Sequence, residues 1–93
     1  MNARTLTAQF SSNGGAWRLY VVVPGAPDWP AFRWESTDSV PAVAERRAVL
    51  AALGFEPLAG AEWSWTEDSQ DPDDDSTPPV LIAALPVREA VPV

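Results

Sequence analysis

No cysteine, histidine or lysine occurs among the 93 residues, and each absence removes a class of chemistry. Without cysteine there is no disulfide framework, no thiolate nucleophile and no zinc–thiolate site, and the redox compartment is left open. Without histidine the chain lacks the usual general base near neutral pH, the usual triad member and the commonest transition-metal ligand. All six basic residues are arginines scattered along the chain, a poor basis for neutralising phosphates, so direct nucleic-acid binding is not expected. Apolar runs are short: Met1 to Phe10 contains no signal-like core, and no stretch approaches membrane-spanning length. A cytoplasmic protein without membrane contact is the expectation.

What is present is enough apolar material for one small core: 46% hydrophobic residues, five Trp and three Phe, read as a single domain over residues 1–93. The formal charge of −7 is concentrated. Glu67, Asp68, Asp71, Asp73, Asp74 and Asp75 are six of the thirteen carboxylates, and outside them seven acids face six arginines. The acidity is therefore one local feature on a nearly neutral domain, and such a patch marks a candidate site where uniform acidity would mark only solubility. Pro72, Pro78 and Pro79 oppose regular structure there, so residues 67–79 are expected to form a flexible acidic loop, dispensable for folding.

Leu6, Ala8 and Phe10 alternate with Thr5, Thr7, Gln9 and Ser11, the pattern of a half-buried strand. Asn13-Gly14 signals a hairpin turn, after which Trp17, Leu19, Val21 and Val23 form an inward set opposite Arg18, Tyr20 and Val22. Pro24, Pro27 and Pro30 make the next stretch a loop with at most a short edge strand around Phe32 to Trp34. The one convincing helix runs from about Pro41 to Leu53, capped by Asp38 or Ser39 and stopped by Gly54, with Val43, Val49, Leu50 and Leu53 as its apolar stripe. Trp63 and Trp65 share one face of a third strand. Val80 to Leu85 is apolar on both faces and reads as a fourth strand, which Pro86 either ends or places with its end at an edge.

This order predicts an α+β domain: a four-stranded antiparallel sheet in strand-strand-helix-strand-strand order with one helix packed on one face. A single helix covers only one face, yet Tyr20, Val22 and alternate residues of Val80 to Leu85 point away from it. Something is expected to cover that second face, either a second copy in a homodimer through the sheet or the Trp29 to Trp34 loop. Arg46 falls near the centre of the helix's apolar stripe and needs a partner. Two accounts stand: its stem snorkels along the sheet, or it forms a structural ion pair with Glu35, Glu62 or Glu67.

Catalytic and metal chemistry find little support. Asp71, Asp73 and Asp75 have the spacing that opens an EF-hand loop, but the required glycine would be Ser76 and the bidentate Glu would be Ile82. No metal site, cofactor or catalytic residue is assigned. Ser11, Ser12, Ser36 and Ser39 lack a neighbouring base, and nothing fixes the separation of Glu35 and Asp38. Trp29 and Trp34 lie outside the clear strands and form a possible aromatic site, whereas Trp63 and Trp65 read as core.

The strings Val40-Pro41-Ala42-Val43-Ala44-Glu45-Arg46, Leu53-Gly54-Phe55-Glu56-Pro57, Gly60-Ala61-Glu62-Trp63-Ser64-Trp65-Thr66-Glu67 and Val80-Leu81-Ile82-Ala83 resemble a family of small uncharacterised actinobacterial proteins of the streptomycete type. An arginine-only basic set in an Ala- and Pro-rich chain agrees with a GC-rich source. The resemblance implies a bacterial cytoplasmic protein and carries no activity across. The residues themselves favour a non-enzymatic interaction module that binds another protein and self-associates through its sheet. Two alternatives remain: an acidic inhibitor or nucleic-acid mimic occupying a basic surface, and a small-ligand sensor with a Trp-lined pocket.

Overall fold

The computed structural model describes residues 4–13, 16–34, 40–71 and 73–90. They form one six-stranded antiparallel sheet and one helix: β1 Leu6–Asn13, β2 Ala16–Val22, β3 Ala31–Trp34, α1 Val43–Leu53, β4 Phe55–Pro57, β5 Ser64–Asp71 and β6 Asp74–Glu89. The spatial order is β3-β2-β1-β6-β4, with β5 also paired to β6. The predicted four-stranded sheet is thus corrected to a mostly β fold. The difference comes from two short edge strands and one very long one. β4 is three residues, too short to show a period, and β3 offers only four residues beside three prolines.

β6 is the organising strand. One edge pairs with β1 from Leu6↔Val87 to Ser11↔Ile82. The other edge pairs with β4 through Phe55↔Glu89 to Pro57↔Val87, and then with β5 from Ser64↔Ala84 outward to Asp71↔Asp74. Pro86 was expected to end the strand or to place its end at an edge, yet β6 runs through it to Glu89. In a strand, a residue's N–H and C=O point to the same side, and the Pro86 carbonyl accepts from the Leu58 N–H at 3.2 Å. The missing donor therefore faces the gap between β4 and β5, and the ladder to β1 loses nothing.

The acidic segment expected as a loop is itself paired strand. Beyond Ile82, β6 has no β1 partner, so residues 67–71 and 74–81 continue as a two-stranded ribbon past the sheet. Eight strand residues reach about 26 Å at about 3.3 Å each. A register irregularity between Ser69 and Asp71 lies near Pro78-Pro79, as expected where strand residues cannot donate.

In the first hairpin the inward residues are as predicted: Leu6, Ala8 and Phe10 pack with Trp17, Leu19 and Val21. Ala83, Leu85 and Val87 of β6, Phe55 and Leu50 complete the core on the helix side. Pairing persists to Asn13↔Ala16, which places Asn13 in the strand; the turn residues 14 and 15 lie outside the described residues. The helix begins two residues later than expected, with Ala42 as N-cap and no side-chain cap; Asp38 and Ser39 are outside the described residues. Gly54 ends it as predicted. Its φ of 96° is left-handed, and its N–H caps the Ala51 and Leu50 carbonyls.

The helix buries Leu50 and Arg46, with Val49 and Leu53 partly covered, while Val43 is 42% exposed and leaves the predicted stripe. Arg46 is only 5% exposed. Its guanidinium carbon lies 4.8 Å from the Phe10 ring centroid, 4.9 Å from Trp63 and 5.8 Å from Trp65. Nε and Nη1 are buried without a hydrogen-bond partner among the described residues. In place of either expected account, a head in water or an ion pair, Arg46 sits in an aromatic box: its Nε and Nη1 are buried, Glu62 and Glu67 make no ion pair with it, and Glu35 lies outside the described residues. Desolvation pulls the Arg46 pKa down, and three negative ring faces offset part of that cost.

Arg46→Ala should cost about 2 kcal/mol or more, whereas exposed Arg47→Ala should cost under about 0.5 kcal/mol. Arg46→Met keeps an apolar stem and removes the charge, and it should lose about 1 kcal/mol in urea unfolding. Wild-type stability or better in Arg46→Met would show that the rings fail to offset the buried charge.

Candidate functional site

Two surfaces carry exposed chemistry: the acidic ribbon and the sheet face opposite the helix. Strand alternation assigns the second. Facing residues Arg33, Arg18, Ser11, Ile82 and Thr66 form one row across β3, β2, β1, β6 and β5, and Ala31, Tyr20, Gln9 and Ala84 form the next.

On this outer face the Tyr20 hydroxyl donates to Gln9 Oε1 at 2.7 Å, which fixes the ring. Trp29 folds back over it. Its indole Nε1 donates to the Val23 carbonyl at 3.0 Å, and the two rings lie nearly parallel at 17° with centroids 6.1 Å apart. The Val23–Ala26 turn, held by the Ala26 N–H to Val23 carbonyl bond with Gly25 at φ 83°, makes that return possible. The Arg18 guanidinium lies 5.5 Å from the Tyr20 centroid. Together with Pro27, Asp28 and Ala31 these residues line an open groove of about 500 Å³. The loop around Trp29 therefore covers part of the second face, around Tyr20.

Trp34 cannot share that groove. It stands opposite Trp17, edge-on to Phe10 at 5.6 Å and to Phe32 at 4.9 Å, on the helix side of the sheet. The two tryptophans proposed as one aromatic site are thus on opposite faces. Trp63 is partly buried as expected for core, whereas Trp65 is 45% exposed, edge-on to Phe10 and Trp17.

Sequence reasoning missed Arg18 and Arg33 as a pair. Arg18 was legible as an outward residue of β2, but only the β2–β3 register sets Arg33 directly across from it. Like charges in that position repel, and neither arginine is ion-paired among the described residues, where the one ion pair is Arg88–Glu56 at 2.7 Å.

The ribbon's six carboxylates are all exposed. Several of them hold the backbone. Asp68 Oδ1 accepts from the Ser69 N–H at 2.8 Å, and Asp71 Oδ1 accepts from the Asp73 N–H at 3.0 Å. Asp74 Oδ1 accepts from both the Ser76 N–H at 3.0 Å and the Ser76 hydroxyl at 2.6 Å. Thr77 clasps the tip: its hydroxyl donates to the Asp74 carbonyl at 2.8 Å and accepts from the Asp71 N–H at 3.1 Å. The Asp71 and Asp74 contacts are Asx-type turns, so these aspartates at the tip have a folding role beside their charge. Among the described residues no cluster of acidic side chains is arranged to hold a metal ion. Among the described residues no helix is long and apolar enough to cross a membrane.

The Ser76 hydroxyl and, after it, the Ser76 N–H hold the Asp74 pKa below its ordinary value of 3.8. Because the folded pKa is depressed, the tip gains order above the ordinary value and loses it as pH falls through the folded one. Protection of the Ser76 amide, taken relative to its intrinsic exchange rate at each pH, should accordingly fall below about pH 4, a loss that Asp74→Asn should abolish. Identical exchange profiles in both proteins would show that the carboxylate does not hold the turn.

No curated protein and no solved structure matches the chain. One family model does, over residues 4–92, and with nearly every residue aligned from β1 to beyond β6 the chain belongs to DUF6303, a family of unknown function.

Proposed function

We propose that the protein is a non-enzymatic interaction module that docks its acidic ribbon on a basic surface of a protein partner. The observation that carries this reading is the ribbon itself: paired strands extending past the sheet, with six carboxylates and no basic residue. A paired ribbon presents its charges from a preordered backbone and so loses less entropy on binding than a free acidic tail. Its exposed Leu81 adds an apolar contact at the base. The nucleic-acid mimic is a weaker fit, because Asp68, Asp71 and Asp74 are turned to local backbone donors instead of being ruled along one face. In this reading the protein works in the cytoplasm of an actinobacterium, consistent with the short apolar runs and the arginine-only basic set.

The test uses two baits in the native host: the natural chain, and a Glu67→Gln, Asp68→Asn, Asp73→Asn, Asp75→Asn variant. These substitutions remove four charges and leave the Asp71 and Asp74 turns intact. A partner should be captured by the first bait, lost with the second, and released steeply as salt rises. Equal capture by both baits would transfer the contact to another surface.

A further inference from the structure

We infer that the partner fitted by the outer face is a second copy of this chain, with each copy's acidic ribbon lying across the other's Arg18–Arg33 pair. This rests on reading the ribbon as a protein-contact element and names one occupant for it. The first argument is the arginine pair. Two arginines are paired in register on neighbouring strands and neither makes an ion pair among the described residues, Asp28 of the same groove included, so the pair is open to an anion from outside.

The chain's own ribbon cannot supply that anion. β2 and β5 are separated by β1 and β6, so Arg18 stands three strand spacings, about 14 Å, from the Thr66–Asp68 stretch. That exceeds contact range and the Debye length of about 8 Å at physiological salt. A second copy can supply it, for a geometric reason. Strand alternation puts Asp68 on the same outer face as Arg18 and Arg33, since Thr66, Ile82, Ser11 and Arg18 share one row and Asp68 is two residues on. Any two patches on one face are exchanged by a two-fold axis lying parallel to the sheet. Two copies laid face to face about that axis make both contacts at once, a closed isologous dimer.

Between the charged poles lies half-buried Ile82, with half-buried Val80 beside Asp68 at the ribbon's base, and these form the apolar strip such a dimer would cover. The Trp29 loop shields Tyr20 beside this strip and leaves the strip itself open. The charge asymmetry also sets the strength. The ribbon carries six acids, and the two outer-face arginines neutralise only part of them, so association is favoured at low salt and leaves ribbon charge free for another partner.

Sedimentation equilibrium of the full chain at tens of micromolar in 50 mM NaCl should give twice the chain's 10.0 kDa. In 1 M NaCl the dissociation constant should rise at least tenfold. Arg18→Glu with Arg33→Glu should be monomeric with an unchanged melting temperature, as should the four-substitution ribbon variant described above. Mixed together, these two monomers should regain a dimer mass, because one natural ribbon then meets one natural arginine pair. A natural chain that stays monomeric in 50 mM NaCl would overturn the proposal, and so would a dimer indifferent to the arginine substitutions. A monomer whose ribbon still captures a host protein would defeat the second copy and leave the broader reading standing; a dimer that captures nothing would do the reverse.

Discussion

The length of β6 is the constraint on which the rest of the structure depends. Sixteen residues from Asp74 to Glu89 must find partners, and no other strand exceeds eight. β1 uses six of them, and the opposite edge is shared by β4 and β5. The overshoot past Ile82 can pair only with β5, so the ribbon follows from a mismatch in strand length. The same arrangement explains how a proline sits in a central strand, since the gap between β4 and β5 falls where Pro86 cannot donate.

Across this sheet lies a helix too short to cover it: eleven residues, about 16 Å at 1.5 Å each. It is fastened at two points, Leu50 in the core and Arg46 in the aromatic box. Phe10 is central to both, being stacked on Trp17 at 4.6 Å, edge-on to Trp34, Trp63 and Trp65, and under the Arg46 guanidinium. A cation held by ring faces needs no buried carboxylate, so the helix side avoids the desolvation of a second charge. The acids are thereby left to the surface, where most of the excess negative charge gathers on the ribbon.

Much of this was legible in the sequence. The alternation of Leu6 to Phe10 and Trp17 to Val21 gave both strands and their inward faces, and Gly54 marked the helix end. The ribbon was not legible, because dense like charge and three prolines argue locally for an open loop, whereas the pairing is set by Val80 and Leu81 continuing a strand anchored in the core. Arg46 stood out as an arginine on an apolar stripe, but choosing rings over carboxylates required knowing that Trp63, Trp65 and Phe10 converge on it. The pairing of Trp29 with Trp34 failed for a related reason: alternation fixes the face of a residue inside a strand and says nothing of a loop residue that folds back, as Trp29 does over Tyr20.

That the acidic segment is preordered strand is the claim on which the interaction reading rests. Cross-strand proton contacts in solution test it most directly, with the Asp68–Val80 and Glu67–Leu81 pairs as reporters. The account predicts backbone contacts between both pairs at neutral pH, with strand-like shifts from Glu67 to Ser69 and from Val80 to Ile82. Random-coil shifts and no cross-strand contacts beyond Thr66 and Ile82 would contradict it, returning the segment to a solvated loop with no preformed surface to present.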